Sequence, residues 1–220
     1  MKRIVQGIAR LSVLIVCCAC VSAQAAEPAQ DLSQALADIE HRFDELSFAT
    51  PKKRERRDGF EELVATVQSL VAANPYSVEA LTWQGIVLSS YAGEVSAFSA
   101  MRYANAARAS LQTAESLEPT ALGGSIYTSL GALYAQVPGG LIGFGDRDLA
   151  LEYLRKAVEI SPNDLDANYF LADLLIEKKM YAEARQVLSR ALRAPTVTRR
   201  PLLDTARRSA MQTLFDELEG

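Results

Sequence analysis

Two stretches near the end of the chain repeat each other at a fixed distance. Ala150, Leu154 and Ala157 return 34 residues later as Ala184, Leu188 and Ala191. Steps of four and then three place all three residues on one face of a helix. The small residues at either end of that pattern let a second helix approach closely. A period of 34 residues holds two helices and their turns. Such a unit cannot bury its apolar face alone, so it must stack on neighbours of its own kind. The spacing therefore predicts an all-α chain of antiparallel helix pairs stacked as a solenoid, with capping helices at both ends. Composition agrees: 49% of the residues are apolar, 23% are charged, and alanine and leucine favour helix.

Followed towards the N-terminus, the same pattern appears twice more. Tyr127, Leu130, Gly131 and Tyr134 mark the first helix of the middle unit, and Ala150, Leu154, Ala157 and Pro162 its second. The last unit opens at Leu165, with Leu171 and Ala172 in its first helix. The earliest unit runs from Pro75 through Trp83 and Gly85 to Ala107, Leu111, Ala114 and Pro119. Both earlier units carry extra residues between the marks of their two helices. Three units thus span 75–195, preceded by capping helices and a basic linker at 26–74 and followed by a capping helix at 196–220, running from about Pro201 to Leu218. Its inward stripe is expected at Leu202, Leu203, Ala206, Ala210, Leu214 and Leu218.

Large-x2-Leu-Gly-x2-Tyr followed by Ala-x3-Phe-x2-Ala and a proline resembles the tetratricopeptide repeat (TPR), over about residues 75–195. That resemblance implies a scaffold for protein partners whose concave face is lined by the first helix of each pair. The repeat phase puts Glu79, Thr82, Ile86 and Ser89 there, then Ser125, Thr128, Ala132 and Gln136, then Asp166, Tyr169, Asp173 and Glu177. Peptide-clamping members hold a carboxylate tail with Lys, Asn and Arg at such places. These positions are neutral or acidic, which disfavours that mode.

The N-terminus predicts export. Lys2, Arg3 and Arg10 precede an apolar stretch from Leu11 to Val21, and Ala23-Gln24-Ala25 reads as a cleavage site, giving a periplasmic chain without a stable transmembrane span. Cys17, Cys18 and Cys20 all fall inside that segment. Lipidation at Cys20 is the weaker reading, because Cys17 stands where a lipidation signal usually places Leu. Loss of three basic residues would take the net charge from −4 to −7, which disfavours nucleic acid as a partner.

In the capping region, Leu32, Leu36, Ile39, Phe43 and Leu46 form one helical stripe, with Asp31 and Gln34 read as a capping box. Pro51 ends that helix. The cluster Lys52-Lys-Arg-Glu-Arg-Arg57 follows, either a solvated linker or a contact for anionic lipid heads or an acidic partner. Asp58 and Glu61 read as a second capping box.

Val137-Pro-Gly-Gly-Leu-Ile-Gly-Phe-Gly-Asp146 is the most unusual segment. Its glycines lack the order, the lysine and the preceding strand of a phosphate loop. It reads as a bent connection with glycines at positive φ and Asp146 capping the next helix. Leu141, Ile142 and Phe144 are apolar where polar residues are expected, so they either tuck into the repeat or line a ligand cavity. His41 has no His or Cys companion outside the export segment, and neither a nucleophile triad nor an acid pair stands out. The reading is a chain without catalytic residues, metal site or cofactor.

The export segment, the lengthened units, the Gly-Phe-Gly-Asp146 loop and Asn168-Tyr-Phe-Leu-Ala-Asp173 together also resemble the T-component proteins of TRAP-type transporters. That resemblance implies a pore that accommodates a ligand, a solute-binding protein as partner, and self-association. Two functions follow: a periplasmic scaffold for protein–protein interaction, or an accessory ligand-binding protein of such a transporter. The candidate partner or ligand surface comprises Thr82, Ile86, Thr128, Gln136, Leu141, Ile142, Phe144, Tyr169 and Asp173.

Overall fold

The computed structural model describes residues 28–219, so the export segment and its cysteines lie outside the described residues. Among those residues there is no strand. Nine α-helices follow one another: α1 (Pro28–Asp44), α2 (Lys53–Ala73), α3 (Val78–Glu94), α4 (Ala97–Leu117), α5 (Ser125–Gln136), α6 (Arg147–Ile160), α7 (Leu165–Glu177), α8 (Tyr181–Leu192) and α9 (Pro201–Glu219). Each even-numbered helix packs on the odd-numbered helices beside it. The odd ones also touch each other in series, α1 on α3, α3 on α5, α5 on α7 and α7 on α9. The result is an inner layer of odd helices with the even helices outside.

Small residues set how closely the layers approach. A Cβ on Gly85 would stand 2.4 Å from Leu111 Cγ, and one on Gly131 would stand 2.6 Å from Leu154 Cγ. Leu111, Leu154 and Leu188 are fully buried, as are the alanines that flank them. This is the physical content of the repeat: a leucine of the second helix seats where the first helix has little or no side chain.

The extra residues of the two earlier units take different forms. In the first they lengthen the helices, leaving only Val95 and Ser96 between α3 and α4. In the second they form the ten-residue loop 137–146. Only Gly140 of that loop has positive φ, at 72°. The other glycines are there for close backbone approach, not for dihedral freedom: a Cβ on Gly145 would fall 1.8 Å from Val137 O. Asp146 does cap α6, accepting from Asp148 N–H and Leu149 N–H.

Two expected helix starts move. α1 begins at Pro28, so Asp31 lies in its first turn and Gln34 bonds Asp38 instead of closing a capping box. α2 begins at Lys53, so Asp58 sits inside the helix and pairs with Arg54 and Arg57. Pro28 and Pro51 mislead less than the acids do, since proline is well suited to the start of a helix or the residues just before one. In α9 the buried stripe is rotated: Leu203 and Met211 are buried, while Leu214 and Leu218 are only partly covered.

A Gly-Gly pair marks the entry to α5. Leu122, Gly123 and Gly124 all adopt left-handed backbone, at φ 51°, 61° and 87°. Ser161 Oγ donates to Gly123 O and Ser125 Oγ donates to Leu122 O, which holds the bend in place. Gly124→Ala adds a Cβ to a left-handed residue only 3.4 Å from Ile160 Cβ. It is expected to cost about 1–2 kcal/mol in urea unfolding, whereas an alanine in ordinary helix would stabilise.

Candidate functional site

The inner layer curves until its last helix meets its first. A π-helical turn, Glu45–Ala49, extends α1 and packs against α9. Arg200 Nε donates to Asp44 Oδ2 at 3.0 Å, and the Arg200 guanidinium lies 3.3 Å from Glu40 Oε1. Arg199 also reaches Glu40. Arg207 donates to Asp166 at 2.5 Å, and its guanidinium stands 5.4 Å from the Phe48 ring, 4.5 Å from Tyr169 and 5.0 Å from Phe170. One arginine therefore bridges the first hairpin, α7 and α9. The solenoid is closed by its own ends.

Closure frames a partly open cavity of about 560 Å³. α1 contributes Leu36, Glu40 and Phe43. α3 contributes Glu79, Trp83, Ile86, Ser89 and Ser90, and α5 contributes Ser125, Thr128, Ala132 and Gln136. The far side is Asp164, Asp166 and Phe170 with Arg199, Arg200 and Arg207. Each of those arginines meets a carboxylate, so they bring no uncompensated cation to the concave face. Asp164 is pushed above the usual carboxylate range by burial and by neighbouring Asp166. The Ala167 N–H and the charges of Arg200 and Arg207 oppose that shift.

The sequence-derived surface is divided by the structure. Ile86, Thr128 and Gln136 line the cavity, together with Glu79, Ser89, Ser125, Ala132 and Asp166. Thr82 does not: it is buried, and its hydroxyl donates back to Val78 O at 2.7 Å. Tyr169 lies under Arg207 and beside Phe170 rather than in the cavity wall. Asp173 is half-buried away from it. Burial, with Glu177 next to it, raises the Asp173 carboxyl above its ordinary range.

Leu141, Ile142 and Phe144 are absent from the cavity wall. Phe144 packs edge-on to Tyr134 with ring centres 5.5 Å apart, and Arg108 lies 3.9 Å above it. Leu141 and Ile142 project into solvent, away from the wall of the cavity between the inner helices. The part of the wall from α1, from Arg199 and Arg200 just before α9, and from Arg207 within it has no counterpart in the repeat pattern. Its one visible signal is three arginines at 199, 200 and 207 in a chain whose repeat face is acidic.

A second arginine cluster positions the closing loop. Arg208 donates to Asp204 Oδ2, Leu192 O, Ala194 O and Pro195 O, tying the end of α8 to α9. The bond from Arg208 holds the Asp204 carboxyl below its ordinary value. Desolvation acts against that, and the Val197 N–H adds to it. A carboxyl depressed on folding contributes stability above the unfolded value of about 3.9, lost as pH falls through the lower folded value. Arg208→Ala should therefore lose stability at neutral pH and show a shallower loss below about pH 4 than the parent, in acid-titrated unfolding.

Among the described residues no group of three His, Cys, Asp or Glu is placed to hold a metal ion, and no helix is long and apolar enough to cross a membrane. Comparison with curated proteins finds no match. The tetratricopeptide repeat model matches residues 141–197. Among solved structures, TTC0263, a thermophilic TPR protein in Thermus thermophilus, is similar at 17% identity with a TM-score of 0.53, over 83% of this chain and 89% of that one. A crystal structure of MamA matches at 17% identity and a TM-score of 0.46, over 76% of this chain and 91% of that one. Inner first helices, outer second helices, leucine-on-glycine contacts and the match at 141–197 lead to one conclusion: residues 141–197 match the tetratricopeptide repeat, and the described residues form an all-helical, tetratricopeptide-like solenoid.

Proposed function

We propose that this chain is an exported scaffold of the bacterial envelope that holds a protein partner on the inner layer of its first helices. The observation that carries the reading is the wall formed in register by α3, α5 and α7, where Ile86, Ser89, Ser125, Gln136 and Phe170 line one continuous surface. Residues 1–25 support the location by their basic start, apolar stretch and Ala-x-Ala site.

A second reading rests on a specific observation. The ends of the solenoid frame a partly open cavity of about 560 Å³, within the usual range for small-molecule sites. This supports an accessory that holds a small ligand, as in a TRAP-type transporter. The mixed lining fits a ligand with polar groups better than a purely apolar one. A photocrosslinker at Ser90 or Gln136, used in cells, separates the two. A protein adduct that survives denaturation supports the scaffold. No protein adduct, with a small molecule retained in native mass spectrometry, overturns it in favour of the ligand-holding accessory.

A further inference from the structure

The turns of a stacked helical-hairpin chain fall along two opposite edges, and here the edges differ in charge. One edge holds the tips within each pair: the start of α2, the α3–α4 turn, the loop 137–146 and the α7–α8 turn. Contacts tie these tips into one continuous rim. Arg56 of α2 donates to Glu94 of α3 at 2.7 Å. Gly143 sits against Met101 of α4, whose Cε is 3.1 Å from where a glycine Cβ would stand. Arg147 reaches Glu177, and Lys178 reaches Asp148.

Segments 52–58, 94–102, 138–148 and 177–181 of this rim carry nine cations against six carboxylates, and the end of α9, tied to the same rim by Arg185, adds Asp216, Glu217 and Glu219. The cationic excess is concentrated at the start of α2, where 52–58 holds five cations against two carboxylates, in a chain that is net −4. On the opposite edge, segments 74–79, 115–125 and 159–166 carry six carboxylates and no cation, while the α8–α9 loop carries Arg193, Arg199 and Arg200, the last two paired with Glu40 and Asp44 of α1. Both edges expose apolar side chains, so apolarity alone does not choose between them. Charge does.

Two features of the basic rim are unfavourable for the folded chain in water. Phe98 is 95% exposed, Leu141 fully and Ile142 76%. They stand on tips already anchored by other residues, Phe144 under Arg108 and Met101 against Gly143. The basic cluster, meanwhile, occupies the first turns of α2, where the positive end of the helix dipole favours acids over Lys53, Arg54, Arg56 and Arg57. Apart from Arg56, whose pair with Glu94 ties two tips together, neither feature serves the fold, and an anionic apolar boundary satisfies both.

We propose that this rim is a docking surface for an anionic bilayer, with Phe98, Leu141 and Ile142 entering the headgroup region while Lys52, Lys53 and Arg54 meet lipid phosphates. The surface does not include the cavity, and the inference stands apart from what the inner layer holds.

The test is site-resolved fluorescence quenching on the full chain. Phe98→Trp places a reporter on the rim and Tyr76→Trp, at an 83% exposed position, one on the acidic edge; Trp83, the only native tryptophan, is buried. With brominated phosphatidylglycerol vesicles, the rim reporter should be quenched and the acidic-edge reporter spared. Brominated phosphatidylcholine should quench neither. Leu141→Ser with Ile142→Ser, or Lys52→Glu with Lys53→Glu and Arg54→Glu, should weaken the apparent partition about tenfold or more, as should about 0.5 M salt. The glutamates suit a helix N-terminus, and an unchanged circular dichroism spectrum confirms that these variants fold. An unquenched rim reporter overturns the proposal. So does equal quenching of both reporters, which would mark attachment through another part of the chain, or quenching insensitive to the substitutions, which would mark a contact other than the one described.

Discussion

Arg200→Ala is expected to open the ring at a cost of about 3 kcal/mol or more, one of the two largest single-substitution effects expected in this chain. Asp44 is 5% exposed and its carboxylate faces Arg200 from both oxygens, so removal of the guanidinium strands a buried charge. The pair joins residues 156 apart, and α9 has few other anchors on the first hairpin. The loss should therefore appear as local detachment before global unfolding. Hydrogen exchange should accelerate in α9 and α1, and small-angle scattering should report a larger radius, while α5 and α6 stay protected. Arg199→Ala is the comparison. Its side chain is 72% exposed, and its loss should change stability by less than about 0.5 kcal/mol. Asp44→Leu combined with Arg200→Met should restore much of the closure, since an apolar pair of similar volume carries no desolvation penalty. If exchange in α9 is unchanged in Arg200→Ala, closure does not depend on this pair.

The second large effect concerns the contact between layers. Leu154→Ala is expected to destabilise by about 2–5 kcal/mol, because the side chain is fully buried against Gly131. Gly131→Ala alone should also destabilise, although alanine is the better helix former by about 1 kcal/mol. Its Cβ would sit 2.6 Å from Leu154 Cγ and 3.2 Å from the Ala150 carbonyl oxygen, forcing the helices apart. In the Leu154→Ala background the same methyl enters vacated space, so its effect should turn neutral or stabilising. A urea double-mutant cycle should give a coupling of more than about 1 kcal/mol. Additive effects would mean that the glycine is not where the two helices meet.

These two contacts also mark how far the sequence could be read. Leu154 returns 34 residues on as Leu188, and Gly131 holds the small-residue place after Leu130 that Ala172 holds after Leu171, so their roles follow from helical periodicity and the repeat pattern. Asp44 and Arg200 have no such echo. Acids invite misplaced helix caps at Asp31 and Asp58, because a side chain that can cap a helix can equally bond within one. The loop at 137–146 was legible as an anomaly but not as a place: Phe144 turns towards Tyr134, while Leu141 and Ile142 point away.

Periodicity determined that the chain is helical, paired and stacked, because each unit repeats a local packing rule readable at short range, and the resemblance to the tetratricopeptide repeat implied that first helices face inward. Only the tertiary structure decided that the stack closes on itself, that arginines from α9 complete the cavity wall, and that basic and apolar tips share one rim. These depend on the accumulated rotation of successive hairpins. That rotation is set by small packing differences at each interface, and no single interface reveals it.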